Sequence, residues 1–599
     1  MTLATPSTLW DRLNDLRSRM AARFSATGNT AATVATDGHE YIFIEFWRLS
    51  GPDSGCEVLP GYRRTASNAD AAHVPFALVP FDTGSVLLLG RTETVFLDTN
   101  GVEHVLPPFP VDPNILAPAP DGTERVAFAG RGDDGTPAAW VWTAPDLLVK
   151  LDTELPPVLL KGRGWLDPQG NELLINVTEG GRVHPEALDL RDGSIRRLPL
   201  NEPSDSDIAW FTSPESGQLL VFSRFGDQHR LRVIDRTGAA AELWSLEGLT
   251  GSVRPIAMHP GTGDIAVHVN EGMREQIAVV DVAADTLRVL PNHDDRAVAW
   301  ASWATGAGQP DRLWGFSIGS GYPGCFVGYD EGGWLEVPDG TTAGAYSGWA
   351  PSHLESFPGA EGPIEAIVCG HDDWRTAEHV VLALHGGPAS RWTLKFSQLF
   401  QFFAEERITV IAPNPRGSTG YDDDFHQLIV GNWAGPDLHD VLAIAEHVRE
   451  LRPGPLALYG PSYGAYLALL AACAKPGLWS RVAAIAPMLS GERLYEVAAA
   501  DVRAMIDRLG GKHIVCDELG SRDVLTQLPK LATPLLVVHG SADPTIPASQ
   551  SRELADRLIA AGKVEGLDFE YVEVPGGGHT PLDGSEELHR KVARFLSGK

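Results

Sequence analysis

The segment Leu456-Ala-Leu-Tyr-Gly460-Pro-Ser462-Tyr-Gly464, running into Ala465-Tyr-Leu-Ala-Leu-Leu-Ala-Ala-Cys473, constrains the fold of this chain more than any other stretch. An apolar run of strand type ends at Gly460, and an Ala/Leu-rich helical run begins after Gly464. A strand can turn into a helix that sharply only where side chains are missing on both sides of the bend. The residue at the apex, here Ser462, is then thrust outward on a strained backbone. Such a turn belongs at the C-terminal edge of a parallel sheet, so the surrounding sequence must supply one.

It does so after about residue 350. The strand candidates VVLALH, ITVIAP, PLALYG, VAAIAP, PLLVVH and FEYVEV alternate with helical stretches such as DLHDVLAIAEHVREL and ASQSRELADRLIAAG. Near-continuous apolar strands separated by helices indicate a parallel sheet covered on both faces, an α/β domain of the doubly wound type.

A serine hydroxyl becomes a useful nucleophile only when a base takes its proton and an acid orients that base. In a fold with this turn the order along the chain is serine, acid, histidine. Downstream, Pro534-Leu-Leu-Val-Val-His-Gly540 reads as a strand, and the loop Ser541-Ala-Asp543-Pro-Thr-Ile-Pro547 follows it. The next strand ends in Gly576-Gly-Gly-His579, whose glycines free the backbone to bring His579 over the turn. Ser462, Asp543 and His579 are therefore the candidate catalytic residues. A further strand ends in His385-Gly386-Gly387-Pro388, which offers unencumbered backbone N–H groups. Two such donors are needed for the oxygen of a tetrahedral intermediate, and the N–H groups of Gly387 and Tyr463 are the candidates. His385 precedes the glycines and is expected to hold the loop by a hydrogen bond. Arg416 is expected to tie loops together, and Asp422-Asp423-Asp424 to be a solvated face.

Residues 30 to 345 have another rhythm, with short β-type runs punctuated by Gly, Pro and Asp. Turns recur at Asp37-Gly38, Asp82-Thr83-Gly84, Asp121-Gly122, Pro168-Gln169-Gly170, Pro214 to Gly217, Pro260 to Gly263 and Gly306-Ala307-Gly308. Their last glycines lie 38 to 48 residues apart, and strand-like runs such as SVLLLG, RVAFAG, ELLINV and QLLVFS follow. A repeat of about 40–50 residues holding several short strands is what one propeller blade requires. The expectation is a seven-bladed β-propeller over 30–345 and an α/β-hydrolase catalytic domain over 346–599. Residues 1–29 are expected to hold a helix that docks on the rest of the chain, because Leu9, Leu13, Leu16, Met20 and Phe24 recur at steps of three or four.

The formal net charge of −30 argues against a nucleic-acid or anionic-membrane partner. No apolar run is long enough for a transmembrane helix, and the N-terminus lacks the regions of a signal peptide. The five scattered cysteines read as reduced residues, and no Cys/His spacing or phosphate-binding glycine pattern implies a metal or a nucleotide. A cytoplasmic location is expected, with no cofactor. A homo-oligomer is compatible with the sequence, which leaves the oligomeric state open.

Residues 350–599 resemble the prolyl oligopeptidase family, particularly its acylaminoacyl-peptidase and dipeptidyl-peptidase-like branch. The motifs that carry the resemblance are HGGP at 385–388, Asn414-Pro-Arg-Gly-Ser-Thr-Gly-Tyr421, Gly431-Asn-Trp-Ala-Gly-Pro-Asp437, GPSYG at 460–464, Asp543-Pro-Thr-Ile-Pro547 and Gly578-His579. The resemblance implies a propeller cap over the catalytic face, an N-terminal helix on the hydrolase domain, and a serine peptidase cleaving short peptides. Three departures bear on specificity. Ala465 stands where the family often has glycine, Thr545 stands where some acylpeptidases have arginine, and the paired glutamates of dipeptidyl peptidases are missing. An exopeptidase mode is therefore not implied. The alternatives are an amide or ester hydrolase, or an acyl transferase, acting on a small peptide-like metabolite. A third reading is a propeller scaffold with a vestigial hydrolase, which the complete Ser/Asp/His set opposes.

Overall fold

The computed structural model describes the chain apart from residues 1–7, 16–17, 37–40, 52, 66–76, 91–92, 110, 133–135, 157–163, 203, 227, 247–252, 292–295, 305–310 and 339–347. Seven small antiparallel sheets succeed one another, built from residues 18–65, 77–106, 111–150, 172–197, 206–242, 253–289 and 297–336. Each is a meander of strands consecutive in sequence. The fourth has three strands among the described residues, with Trp165 bridging to Leu173. Apolar residues on both faces of a meander must be covered by its neighbours. Val34 and Ile44 of the first sheet accordingly pack with Val86 and Leu88 of the second. The ring closes through Trp47 of the first sheet and Trp314, Phe316 and Phe326 of the seventh. This is a seven-bladed propeller.

The turns singled out by their spacing recur at equivalent places. Gly84, Gly122, Gly170, Gly217 and Gly263 have φ between 69° and 103°, a region that favours glycine, which explains why it returns once per blade. Asp37-Gly38 and Gly306-Ala307-Gly308 lie outside the described residues. In the first blade the equivalent turn is Ser25 to Gly28, between the strands Ser18–Phe24 and Thr30–Thr36, so the expected first repeat was phased one strand late.

The N-terminal helix is shorter than expected. It spans Leu9–Asp15, and Ser18–Phe24 is a propeller strand paired antiparallel with Thr30–Thr36. Steps of three or four cannot separate a helix from a strand over so few residues, and tertiary partners decide. The Arg19 guanidinium donates to Glu45 at 2.6 Å inside the first blade, and Phe24 meets Phe326 edge-on at 5.4 Å. The propeller therefore begins at Ser18 rather than residue 30. The helix itself lies on the hydrolase domain, with Leu9 and Leu13 buried alongside Phe402 and Phe403.

Apart from a separate two-stranded ribbon at Cys516–Asp517 and Gly520–Ser521, that domain is built on an eight-stranded sheet. We label its strands β1 (Ser352–Gly359), β2 (Gly362–Cys369), β3 (His379–Ala383), β4 (Ile408–Pro413), β5 (Leu456–Pro461), β6 (Val482–Ile485), β7 (Leu535–Gly540) and β8 (Phe569–Val574). Their spatial order is β1-β2-β4-β3-β5-β6-β7-β8. Strands β3 to β8 are parallel and correspond to the six apolar runs of the sequence. Strands β1 and β2 add an antiparallel edge. Alternation along β3 divides the core, with Val380 and Leu382 in the layer on one face and Val381 and Ala383 in the layer on the other.

The sixth blade docks on this domain through the hairpin between Ile265–Glu271 and Arg274–Asp281. Met273 at its tip is fully buried in the hydrolase core, and its N–H donates to Glu365 at 2.9 Å. Beside it, Glu275 accepts from Arg391 and Lys395, each at 3.1 Å, and Arg391 also donates to Asn270 at 2.7 Å.

Candidate active site

Ser462 follows β5 at the start of the helix Tyr463–Ala474, with φ 55° and ψ −122°. For a residue with a Cβ this backbone costs on the order of 1–3 kcal/mol and persists only where its surroundings impose it. Here the imposition is a close approach. A Cβ at Gly464 would stand 2.6 Å from the carbonyl oxygens of both Leu384 and His385, and one at Gly460 would strike the backbone of Gly464. The Ser462 N–H donates to Ile485 on β6 at 2.7 Å, tying the turn to the next strand.

Asp543 lies in the loop after β7 with its side chain fully buried. Burial alone would raise its pKa, but hydrogen bonds from His539, His579 and the Ile546 N–H outweigh it and hold the carboxyl below the usual carboxylate range. One oxygen, Oδ1, accepts from the N–H groups of Thr545 at 2.8 Å and Ile546 at 3.0 Å. The other, Oδ2, lies 2.7 Å from Nδ1 of His579, which sits in the loop after β8. Acid and histidine are thus brought together as the sequence implied. Gly540 makes this possible, because any side chain there would collide with the carbonyls of Gly577 and Gly578 in the histidine loop. Ser462, Asp543 and His579 follow β5, β7 and β8 and so share the C-terminal edge of the parallel sheet.

The HGGP loop runs beside the serine turn. Leu384 donates to the Tyr459 carbonyl at 2.8 Å, and a Cβ on Gly386 would lie 3.6 Å from that of Ser462. Gly387 has φ 124°. His385 is buried, its Nδ1 donating to the Gly386 carbonyl at 2.7 Å and its Nε2 lying 2.9 Å from the Ser418 hydroxyl. Desolvation pulls its pKa down to about 4. Tyr463 turns its side chain inward, donating to Asp437 Oδ2 and accepting from the Ala434 N–H, both at 2.7 Å. Burial pushes the Asp437 carboxyl up to about 7. Arg416 pairs with buried Asp440 at 2.9 Å, and Asp422 caps the helix Asp423–Gln427.

His539, at the end of β7, escaped the sequence reading. Its side chain is fully buried and its Nε2 stands 3.2 Å from Asp543 Oδ2. A lone polar residue in the run Leu-Leu-Val-Val-His-Gly540 is the signal that could have found it. Among the described residues, His439, Asp517 and Glu518 could converge on an ion. Ordinary pairing accounts for them, since Asp517 is held by Arg522 at 2.6 Å and by His439 at 3.2 Å.

Fold and site together define a seven-bladed propeller joined to an α/β-hydrolase domain. Residues 394–598 match the model of the prolyl oligopeptidase family. The dipeptidyl aminopeptidase BIII of Pseudoxanthomonas mexicana is 28% identical over 209 residues, which span 33% of this chain and 30% of that relative. Likeness over the whole length comes from solved structures. A Mycobacterium tuberculosis puromycin-hydrolyzing peptidase superposes with a TM-score of 0.70 at 18% identity, covering 99% of this chain and 96% of its own. The Pyrococcus horikoshii acylaminoacyl peptidase gives 0.69 at 15% identity, covering 98% and 96%. At such identities the likeness is one of fold.

Proposed function

We propose that this protein is a serine peptidase that hydrolyses short peptides through an acyl-enzyme. Ser462 attacks the scissile carbonyl while His579 takes its proton and then delivers it to the leaving amine. Asp543 keeps Nδ1 of His579 protonated, so that Nε2 is free to act as base. The N–H groups of Tyr463 and Gly387 receive the oxyanion, and water then releases the acyl group. The observation that carries the reading is the Asp543–His579 hydrogen bond of 2.7 Å on the same sheet edge as a serine held at φ 55°. The family of the 394–598 domain supports peptide chemistry.

A second reading, amide hydrolysis of a small peptide-like metabolite, draws on the similar peptidase described as hydrolysing puromycin. The same site serves both, and the pocket decides. Among the described residues no helix is long and apolar enough to cross a membrane.

A fluorophosphonate should label Ser462, and Ser462→Ala should abolish labelling and lower turnover of aminoacyl or peptidyl substrates by about 10⁴-fold or more with the fold intact. Labelling at another serine, or an active Ser462→Ala variant, refutes the assignment. Profiling aminoacyl, N-acyl-aminoacyl and internally quenched peptides separates the two readings.

A further inference from the structure

We propose that His539 is a second histidine on Asp543, a positioning residue that fixes the carboxylate and sets how strongly it supports His579. The proposal rests on the reading of Ser462, Asp543 and His579 as a triad, and goes beyond it by giving the acid a dedicated buried donor.

The argument starts from hydrogen-bond roles. Nε2 of His539 lies 2.8 Å from the backbone carbonyl of Ile546, and a carbonyl can only accept, so Nε2 carries the hydrogen. Asp543 Oδ2 stands 3.2 Å from the same nitrogen, so the one N–H is shared between a carbonyl and the carboxylate. Nδ1 lies 2.6 Å from the hydroxyl of Ser551, which can donate to it. The ring is fully buried, so no water competes for these partners. Oδ2 therefore faces two imidazole N–H groups, one from His579 and one from His539, while Oδ1 is held by backbone alone.

A carboxylate that accepts from a second histidine spreads part of its charge there, and less remains to favour a proton on His579. The donor also stops the carboxylate from rotating about its Cβ–Cγ bond, which would spoil the 2.7 Å contact to His579. The ionisable groups around His539 are few. Asp543 lies in its own loop, and Glu573 stands opposite it in register on β8. Arg552 comes from the helix Ser549–Ala560 and holds Glu573 at 2.6 Å. The β6 side, Val482–Ile485, is apolar.

The test compares His539→Gln with His539→Asn. The glutamine amide nitrogen reaches the place of Nε2, whereas the asparagine amide falls at the place of Nδ1 and cannot reach Asp543. His539→Asn should lower kcat/KM about tenfold or more and move the acidic limb of its pH profile upward by about one unit. His539→Gln should restore both. A part that only holds the fold would change stability and leave the limb where it is. Labelling of Ser462 by a fluorophosphonate in the wild type secures the triad reading, and its absence overturns that reading and this proposal together. With labelling present, an unmoved limb in His539→Asn, or equal limbs in the two variants, overturns this proposal alone. Should His539→Asn fail to fold, ¹⁵N-histidine spectra of the wild type decide. A neutral His539 with its proton on Nε2 supports the assignment, and a proton on Nδ1 refutes it.

Discussion

Tyr463 serves the site with two different parts of itself. Its backbone N–H follows Ser462, the proposed nucleophile, while its phenol is locked inside by Asp437 and the Ala434 N–H. Burial raises Asp437 from an ordinary value of 3.8 to about 7, so within that window the folded chain holds a proton that the unfolded chain has lost. Stability from this group is therefore present at low pH and is lost as pH rises through about 7. Asp437→Asn has no such proton to lose. Between about pH 5 and pH 8 the variant should gain about 2–3 kcal/mol relative to the wild type, read from denaturant unfolding at the two pH values. A constant difference would mean that Asp437 is ionised throughout. The neighbouring His385 illustrates the opposite case, a buried imidazole kept neutral to brace a loop.

Two hairpin-and-loop arrangements carry the molecule's geometry. In the hydrolase domain, the loops after β7 and β8 touch so closely at Gly540 that their backbones fix the Asp543–His579 contact. Between domains, the sixth-blade hairpin inserts Met273 into the hydrolase core and lays Glu275 against Arg391, four residues beyond Gly387. Met273→Ala should cost about 2–5 kcal/mol, since the cavity it leaves cannot collapse fully between two rigid partners. Met273→Leu, similar in volume, should cost less than about 1.5 kcal/mol. Denaturant unfolding measures both, and faster limited proteolysis of Met273→Ala would show that the dock itself has loosened. Equal stability of Met273→Ala and the wild type would mean that the hairpin does not anchor the propeller.

The chain leaves the hydrolase domain after the helix Leu9–Asp15, runs through seven blades, and returns at Ser352. Among the described residues no strand is shared between the first and seventh sheets, and ring closure rests on apolar packing around Trp47, Trp314 and Phe326 together with a 2.8 Å hydrogen bond from Arg19 to the Gly324 carbonyl. Under the proposed peptidase reading, a ring tied to the hydrolase by both of its ends and by the Met273 hairpin would restrict substrates by size. Substrates sharing one cleavable sequence, from a tripeptide to a denatured full-length protein, should show kcat/KM falling sharply beyond a few dozen residues. Equal rates for the longest unfolded substrate would mean that the propeller does not gate access.

Much of this could be read from local sequence because the physics behind it is local. Five of the six parallel strands, β3 to β7, are buried on both faces and so appear as continuous apolar runs. Gly460 and Gly464 mark the serine turn because the clash they avoid lies within a few residues. The blade turns announce themselves through glycines at positive φ. Strand β1 did not stand out, since its residues are largely half-buried or exposed and carry no such run. Ser18–Phe24 resembled a helix because its strand character comes from Glu45 and Phe326, which no window of a few residues contains. The pairing of Glu275 with Arg391 joins residues 116 positions apart. His539 is near Asp543 in sequence, but its role depends on which carbonyl and which carboxylate oxygen end up beside Nε2 in a dry interior. Periodicity and glycine placement follow from the geometry of a short backbone segment, whereas the partners of a buried charge are chosen only when distant segments close over it.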